Sequence, residues 1–158
     1  MIYNIKINEL GTKYHYLNGV LHKENGPAVE LTDGSKEWWQ NGKLHREDGP
    51  AIETHSGIKE WYQNGKRHRE DGPAFEKPNV EKHWWQNGKL HREDGPAIEY
   101  ANGDKHWFKN GMLHREDGPA IELNNGNMAW FFEDHFYGVN IEFTNESWKK
   151  FIKTIIFS

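Results

Sequence analysis

The chain contains no cysteine, which excludes disulfides and thiolate metal sites and suits a reducing compartment, so a cytoplasmic location is expected. It has no run of about 18 apolar residues, so no membrane-spanning helix is expected. The opening segment MIYNIKINEL has neither a basic stretch nor a long apolar core, so it does not read as a secretory leader. Charge of one sign is missing too. The 20 Lys and Arg stand against 24 Asp and Glu, with a pI near 6.2, and this disfavours nucleic acid or anionic lipid as a general partner. Aliphatic bulk is scarce: 35% of the residues are hydrophobic and the mean hydropathy is -1.01. Such composition on its own points to disorder, because little apolar surface is available to offset the entropy of ordering.

Aromatic residues contradict that reading. They make up 14% of the chain and include eight Trp, whereas disordered segments are poor in them. Their placement follows a repeat. Asn-Gly recurs every 23 residues, at Asn18-Gly19, Asn41-Gly42, Asn64-Gly65, Asn87-Gly88 and Asn110-Gly111. Gly-Pro keeps the same interval from Gly26-Pro27 to Gly118-Pro119, and His-Arg-Glu-Asp-Gly-Pro-Ala starts unchanged at His45, His68, His91 and His114. An earlier copy at His22 carries Lys23 and Asn25 as its variations. One aromatic column is Trp38, Trp61, Trp84, Trp107 and Trp130, with His15 at its leading edge. The adjacent column is Tyr16, Trp39, Tyr62, Trp85, Phe108 and Phe131.

Within a unit the pattern is β. Ala-Ile-Glu reads as a short strand, Asp33-Gly34 as a turn, Lys36–Gln40 as an aromatic-rich strand, and Asn41-Gly42 as a second turn. Gly-Pro then enforces a loop. These elements predict an all-β fold: a linear meander of stacked hairpin repeats in a single elongated, twisted sheet. The hairpin register stays open. A two-residue turn at Asp33-Gly34 sets Val29 opposite Trp38 and Glu30 opposite Glu37, while a three-residue turn sets Glu30 opposite Lys36. Cross-strand pairs contribute only about 0.2–1 kcal/mol each, too little to choose. Either register puts the two aromatic columns on opposite faces.

The ends depart from the repeat, as terminal units do. Tyr3, Ile5 and Ile7 alternate like a strand. After Phe131 the repeat fails: Glu133-Asp134 replaces Asn-Gly and Gly-Pro is absent. Residues 144–158 predict a short amphipathic helix, capped by Thr144 or Asn145, with Trp148, Phe151, Ile152 and Ile155 on one stripe. It is expected to lie over the open end of the repeat domain, residues 1–143. The alternative is a membrane-surface or partner-docking helix, since Lys149, Lys150 and Lys153 flank the stripe.

The recurring His-Arg-Glu-Asp set holds metal-ligand and acid–base chemistry. Yet an active site needs one asymmetric constellation, and this set occurs again and again. Ser35, Ser56, Ser147 and Ser158 have no motif around them. No enzyme activity, metal or other cofactor is therefore expected. The set reads instead as a structural ladder of His45, Arg46 and Glu47; His68, Arg69 and Glu70; His91, Arg92 and Glu93; and His114, Arg115 and Glu116. In that ladder Arg pairs with Glu of its own or a neighbouring unit, Asp48 and its equivalents bond loop N–H groups, and His bonds a loop backbone group. Partner-binding candidates are Trp39, Tyr62, Trp85 and Phe108, together with Arg67, which replaces the Leu of the other units.

The segments Trp38-Trp39-Gln40-Asn41-Gly42-Lys43 and Trp84-Trp85-Gln86-Asn87-Gly88-Lys89 at this interval resemble MORN repeats. They are more similar to the variant class with Tyr-Tyr-x-Asn-Gly-Lys units. The His-Arg-Glu-Asp-Gly-Pro-Ala extension is similar to that of repeat proteins of large DNA viruses. The resemblance covers roughly residues 5–131. It implies a β-hairpin array used as a binding or assembly surface, and some variant-class members are antitoxin-like partners of protein toxins, so a viral or bacterial origin is implied. It carries no catalytic residues over. The expected function is a non-catalytic protein-binding scaffold, an inhibitor or antitoxin-like partner of another protein. The alternatives are a metal- or nucleotide-binding protein using the His/Glu/Asp loops, or a self-assembling structural protein. Copies could associate through a sheet edge or the C-terminal helix.

Overall fold

Each 23-residue unit folds as two hairpins in succession. The computed structural model describes residues 2–139 and 143–157; Met1, Asn140, Ile141, Glu142 and Ser158, which the expected segments 1–143 and 144–158 include, lie outside the described residues. In the first full unit Val29–Glu30 pairs antiparallel with Lys36–Glu37, and Trp39–Gln40 pairs with Lys43–Leu44. The second hairpin turns on Asn41 and Gly42, with φ of 50° and 74°. Two successive positive φ values make a type I′ turn, whose twist matches the flanking strands and which Asn-Gly adopts most cheaply.

The first hairpin uses the three-residue turn. Leu31 N donates to Ser35 O at 2.9 Å, which encloses Thr32, Asp33 and Gly34. Glu30 therefore lies opposite Lys36 and Val29 opposite Glu37. Ser35 N also donates to Asp33 Oδ1 at 2.8 Å, and this local bond fixes the turn. The same register recurs at Ile52–Glu53 with Lys59–Glu60 and at Ile98–Tyr100 with Lys105–His106.

The chain divides into two compact units, Met1–Pro78 with Trp85–Gly88, and Asn79–Trp84 with Lys89–Ser158. In the first, Tyr3–Ile7, Lys13–Leu17, Val29–Glu30, Lys36–Glu37, Ile52–Glu53, Lys59–Glu60 and Phe75–Lys77 form an antiparallel meander in that order. In the second, Glu81–His83, Ile98–Tyr100, Lys105–His106, Ile121–Glu122, Met128–Phe132 and His135–Val139 do the same. The expected all-β meander of hairpin repeats with a short C-terminal helix is thus the fold observed. No described helix is long and apolar enough to cross a membrane.

Successive repeats are joined by main-chain bonds that recur with the repeat. Trp38 N donates to Ala51 O at 2.8 Å, Arg46 N to Tyr62 O at 3.1 Å, and Gly65 N to Leu44 O at 2.8 Å. The Ala that receives the first of these, like Ala28, Ala74, Ala97 and Ala120, is fully buried. The motif's invariant Ala sits where packing leaves room for a methyl group and little more.

The backbone repeat outlasts the sequence repeat. Glu133 and Asp134 take φ of 50° and 65°, the conformation of the Asn-Gly turns. Asp134 N donates to Leu113 O at 3.0 Å, as the turn glycines Gly42, Gly65, Gly88 and Gly111 do to Leu21, Leu44, Arg67 and Leu90. The helix Asn145–Ile156 follows, capped by Thr144 in a reciprocal box with Ser147. Its Trp148 and Ile152 are buried against Trp130 and Phe132, with Tyr137, Phe143, Phe151 and Ile155 around them. Trp148 Nε1 also donates to Arg115 O at 2.9 Å. The helix therefore covers the last Trp of the first aromatic column.

Candidate functional site

The two aromatic columns end up in opposite chemical environments. In the first, Trp38, Trp61, Trp84 and Trp107 each lie under the Arg of their own repeat, and Trp130 lies under the helix. The guanidinium carbon is 4.0 Å from the ring centroid for Arg46 on Trp38, 4.1 Å for Arg69 on Trp61, 4.0 Å for Arg92 on Trp84 and 3.9 Å for Arg115 on Trp107. Such stacking contributes about 0.5–2 kcal/mol, depending on desolvation. The guanidinium is also held in its own plane. Arg46 Nε donates to Asp48 Oδ1 at 2.8 Å, and Nη1 to Pro50 O at 3.1 Å and Glu53 Oε1 at 3.0 Å. Arg69 and Arg92 repeat this set, as does Arg115.

The Gly of the motif completes the stack. A Cβ on Gly49, Gly72 or Gly95 would lie 2.9 Å from the guanidinium carbon, below any real contact. These three glycines are required for close approach to a flat cation. Asp48, Asp71 and Asp94 have their carboxyls held below the usual carboxylate range by the hydrogen bond and charge of that Arg.

The ladder differs from the expected one in its partners. Arg pairs with Asp two residues on and Glu seven residues on, leaving Glu47 and Glu70 exposed near the Nε2 of His45 and His68. Asp48 serves Arg46 first, with only its own backbone N–H in addition. Each His acts between repeats. Asn64 N donates to His45 Nδ1 at 3.1 Å, Asn87 N to His68 Nδ1 at 3.1 Å and Asn110 N to His91 Nδ1 at 3.1 Å. An Nδ1 that accepts fixes the tautomer with its proton on Nε2, which faces the carboxylate two residues on. His114 has no Asn turn after it, and its Nδ1 has no hydrogen-bond partner among the described residues. In the leading copy the whole cluster changes together: His15 replaces Trp, Lys23 replaces Arg, and Lys23 Nζ lies 3.4 Å from His15 Nε2 and 3.5 Å from Glu30 Oε1.

Between successive loops lie open polar clefts. One of about 640 Å³ is lined by Arg46, Asp48, Trp61, His68, Arg69 and Asp71, and one of about 720 Å³ by Arg92, Asp94, Trp107, His114, Arg115 and Asp117. Their Arg and Asp groups are already engaged with one another. Among the described residues no three His, Asp or Glu side chains are placed to hold a metal ion together.

The second column is half-exposed along its length. No family model matches this chain, and no curated protein matches it. The chemistry of the face therefore has to be read from its own groups. In the first compact unit, Trp39 Nε1 donates to Glu37 Oε2 at 2.7 Å and the Tyr62 hydroxyl donates to Glu60 Oε2 at 2.9 Å. The polar edges of these two rings are each fixed by a carboxylate two residues back, so they stand in a set orientation, whereas Trp85 Nε1 is buried with no hydrogen-bond partner among the described residues. Burial, with Glu60 beside it, raises the Tyr62 hydroxyl above its ordinary range.

Arg67 belongs to this face. Its Nε and Nη2 donate to Glu60 Oε2 at 3.0 and 2.6 Å. Its guanidinium lies 5.7 Å from the Tyr62 ring, 5.4 Å from Phe75 and 5.5 Å from Trp85. Burial would lower its pKa, but the Glu60 carboxylate outweighs that and the net shift is upward. In the second compact unit, Phe108 pairs with Leu113, and the Phe131 ring lies tilted against the exposed Phe136 with centroids 5.3 Å apart. Tyr100 lies between His83 and His106, with centroids 6.3 and 5.6 Å away. Sequence reasoning did not single out this trio. Its signal was the change from Glu37 and Glu60 to His83 and His106 at the same repeat position.

Proposed function

We propose that the chain is a non-catalytic protein-binding scaffold of the variant MORN type, and that its partner docks on the face carrying Trp39, Tyr62 and Trp85. One observation carries this reading. In the first column Trp38, Trp61, Trp84 and Trp107 each have one ring face taken by an Arg at 3.9–4.1 Å, whereas the half-exposed Trp39 and Tyr62 carry no guanidinium that close and have their polar edges fixed by Glu37 and Glu60. Rigid, half-exposed Trp and Tyr are the side chains from which interface anchors are drawn, because they bury much area for little lost entropy. Arg67, held among those rings, offers the partner a cation whose orientation is already set. An inhibitor or antitoxin-like role follows from the family resemblance and belongs to this proposal.

The test is a capture experiment from the native host with wild type and with Trp39→Ser/Tyr62→Ser. The proposal requires a co-purifying protein that the variant loses by at least tenfold while its melting curve stays cooperative. Equal capture by both proteins overturns the docking face. A variant that no longer folds shows that the column is core and overturns it as well.

A further inference from the structure

We propose that two copies of this chain pair through the outer edge of the strand Tyr3–Ile7, antiparallel, with Ile5 opposite Ile5 of the second copy. This goes beyond the proposed docking face, which uses a different surface.

All five residues of Tyr3–Ile7 are exposed. On its inner side the strand pairs with Lys13–Leu17, Tyr3 opposite Leu17 and Ile7 opposite Lys13. Asn18 N donates to Ile2 O at 2.9 Å and Asn8 N to Thr12 O at 3.1 Å. Antiparallel ladders alternate, so Ile2, Asn4, Lys6 and Asn8 turn their N–H and C=O inward. Tyr3, Ile5 and Ile7 turn theirs outward, where no described strand pairs with them. Those same residues carry the apolar side chains, 59%, 62% and 65% exposed. Natural edges are blunted by charge, Pro or a bulge, and this one has no Pro and no bulge. Its single charge, Lys6, is drawn inward, with Nζ 5.3 Å from the Tyr16 ring centroid.

The edge is complementary to itself in one register. With Ile5 opposite Ile5, Tyr3 meets Ile7 twice, every outward N–H and C=O of the three residues finds a partner, and six apolar side chains share one face. On the other face Lys6 meets Asn4. A shift of one step in one direction sets Lys6 against Lys6, and in the other direction loses a pair. Charge and hydrogen-bond parity therefore select the same two-fold arrangement, as an isologous contact requires. The paired strands are short, at the small end of specific interfaces, so the dimer dissociates on dilution.

The full chain is free of cysteine, which allows a direct test. In a hydrogen-bonded antiparallel pair the Cα atoms are about 5.5 Å apart, within disulfide reach. Ile5→Cys under mild oxidation is expected to give a cross-linked dimer, and Lys6→Cys, which faces Asn4, is not. In sedimentation equilibrium the wild type is expected to move with concentration toward twice its 18.6 kDa. Ile5→Pro, which removes an outward N–H while leaving the inward ladder bonds their donors, and Ile5→Lys, which opposes two charges, are expected to stay monomeric with unchanged circular dichroism. Phe157→Lys, at a more exposed apolar side chain elsewhere, is expected to dimerise as wild type does. A wild type that remains monomeric, a dimer indifferent to both Ile5 variants, open-ended association, or equal cross-linking from positions 5 and 6 would each overturn the proposal.

Discussion

The Gly of Gly-Pro shows how a single residue can be fixed by another side chain. A Cβ on Gly72 would sit 2.9 Å from the Arg69 guanidinium carbon, and that carbon cannot retreat, being held by Asp71, the Pro73 carbonyl, Glu76 and the Trp61 face. Gly72→Ala is therefore expected to cost about 1–3 kcal/mol, read as a lower denaturation midpoint with an unchanged slope. A second expectation concerns acid. Burial holds the His106 imidazole below its ordinary 6.5, against the pull of Asp104, and burial also lowers His15. Below pH 6.5 the unfolded chain binds more protons than the folded one at these sites, so stability falls as pH falls from there. Asp48, Asp71 and Asp94 are lowered from 3.8 by their Arg partners; their contribution is intact above 3.8 and is lost as pH drops through their folded values. A melting temperature that declines below pH 6.5 and falls more steeply below 3.8 is expected. His106→Gln should flatten the first decline; a wild-type profile level from pH 7 to 5 would contradict it. The sequence pointed to the repeated His, Arg and Glu but not to who meets whom. Arg46 has three carboxylates within seven residues, and Trp38 beneath the guanidinium, with Gly49 above it, decides which two it takes.

At the scale of the element, the turns and the helix were legible and the register was not. Asn-Gly announces its own turn because both residues tolerate positive φ. The three-residue turn at Thr32-Asp33-Gly34 was chosen by one local bond from Ser35 N to Asp33 Oδ1, a term no larger than the cross-strand pairs weighed against it. The sixth turn is more telling. Glu133 occupies φ 50° without the local hydrogen bonding that helps Asn there. Glu133→Asn is expected to stabilise the protein by about 0.5–1 kcal/mol, seen as a higher melting temperature, because it relieves strain that the repeat imposes on an unsuitable residue. Trp148→Ala acts in the other direction. It empties the site against Trp130 and frees Arg115 O, with an expected loss of about 3–5 kcal/mol. A loss below about 1 kcal/mol would show that the helix is not packed as described.

For the whole molecule, polarity and order are compatible because stability is distributed. Each Arg cluster has its own set of partners, closed by a Glu from the start of the next repeat: Arg46 takes Trp38, Asp48, Pro50 and Glu53, and Arg69 takes Trp61, Asp71, Pro73 and Glu76. No group is shared. Arg46→Ala and Arg69→Ala should each cost about 1–3 kcal/mol and should add to within about 0.5 kcal/mol in the double variant. A coupling above 1 kcal/mol would mean that the clusters act as one network. The departure in the middle of the chain, where Asn79-Val80 replaces the turn Gly, falls where the two compact units divide, at Pro78 and Asn79. The sequence marked that place as different without showing what the difference does.

The His–Asn clasp links residues 19 positions apart, using one group from each of two consecutive copies. Both halves of the fastener are therefore written into every copy, and any copy can follow any other. Adding or removing one whole step of 23 residues therefore leaves the joint between neighbouring copies intact.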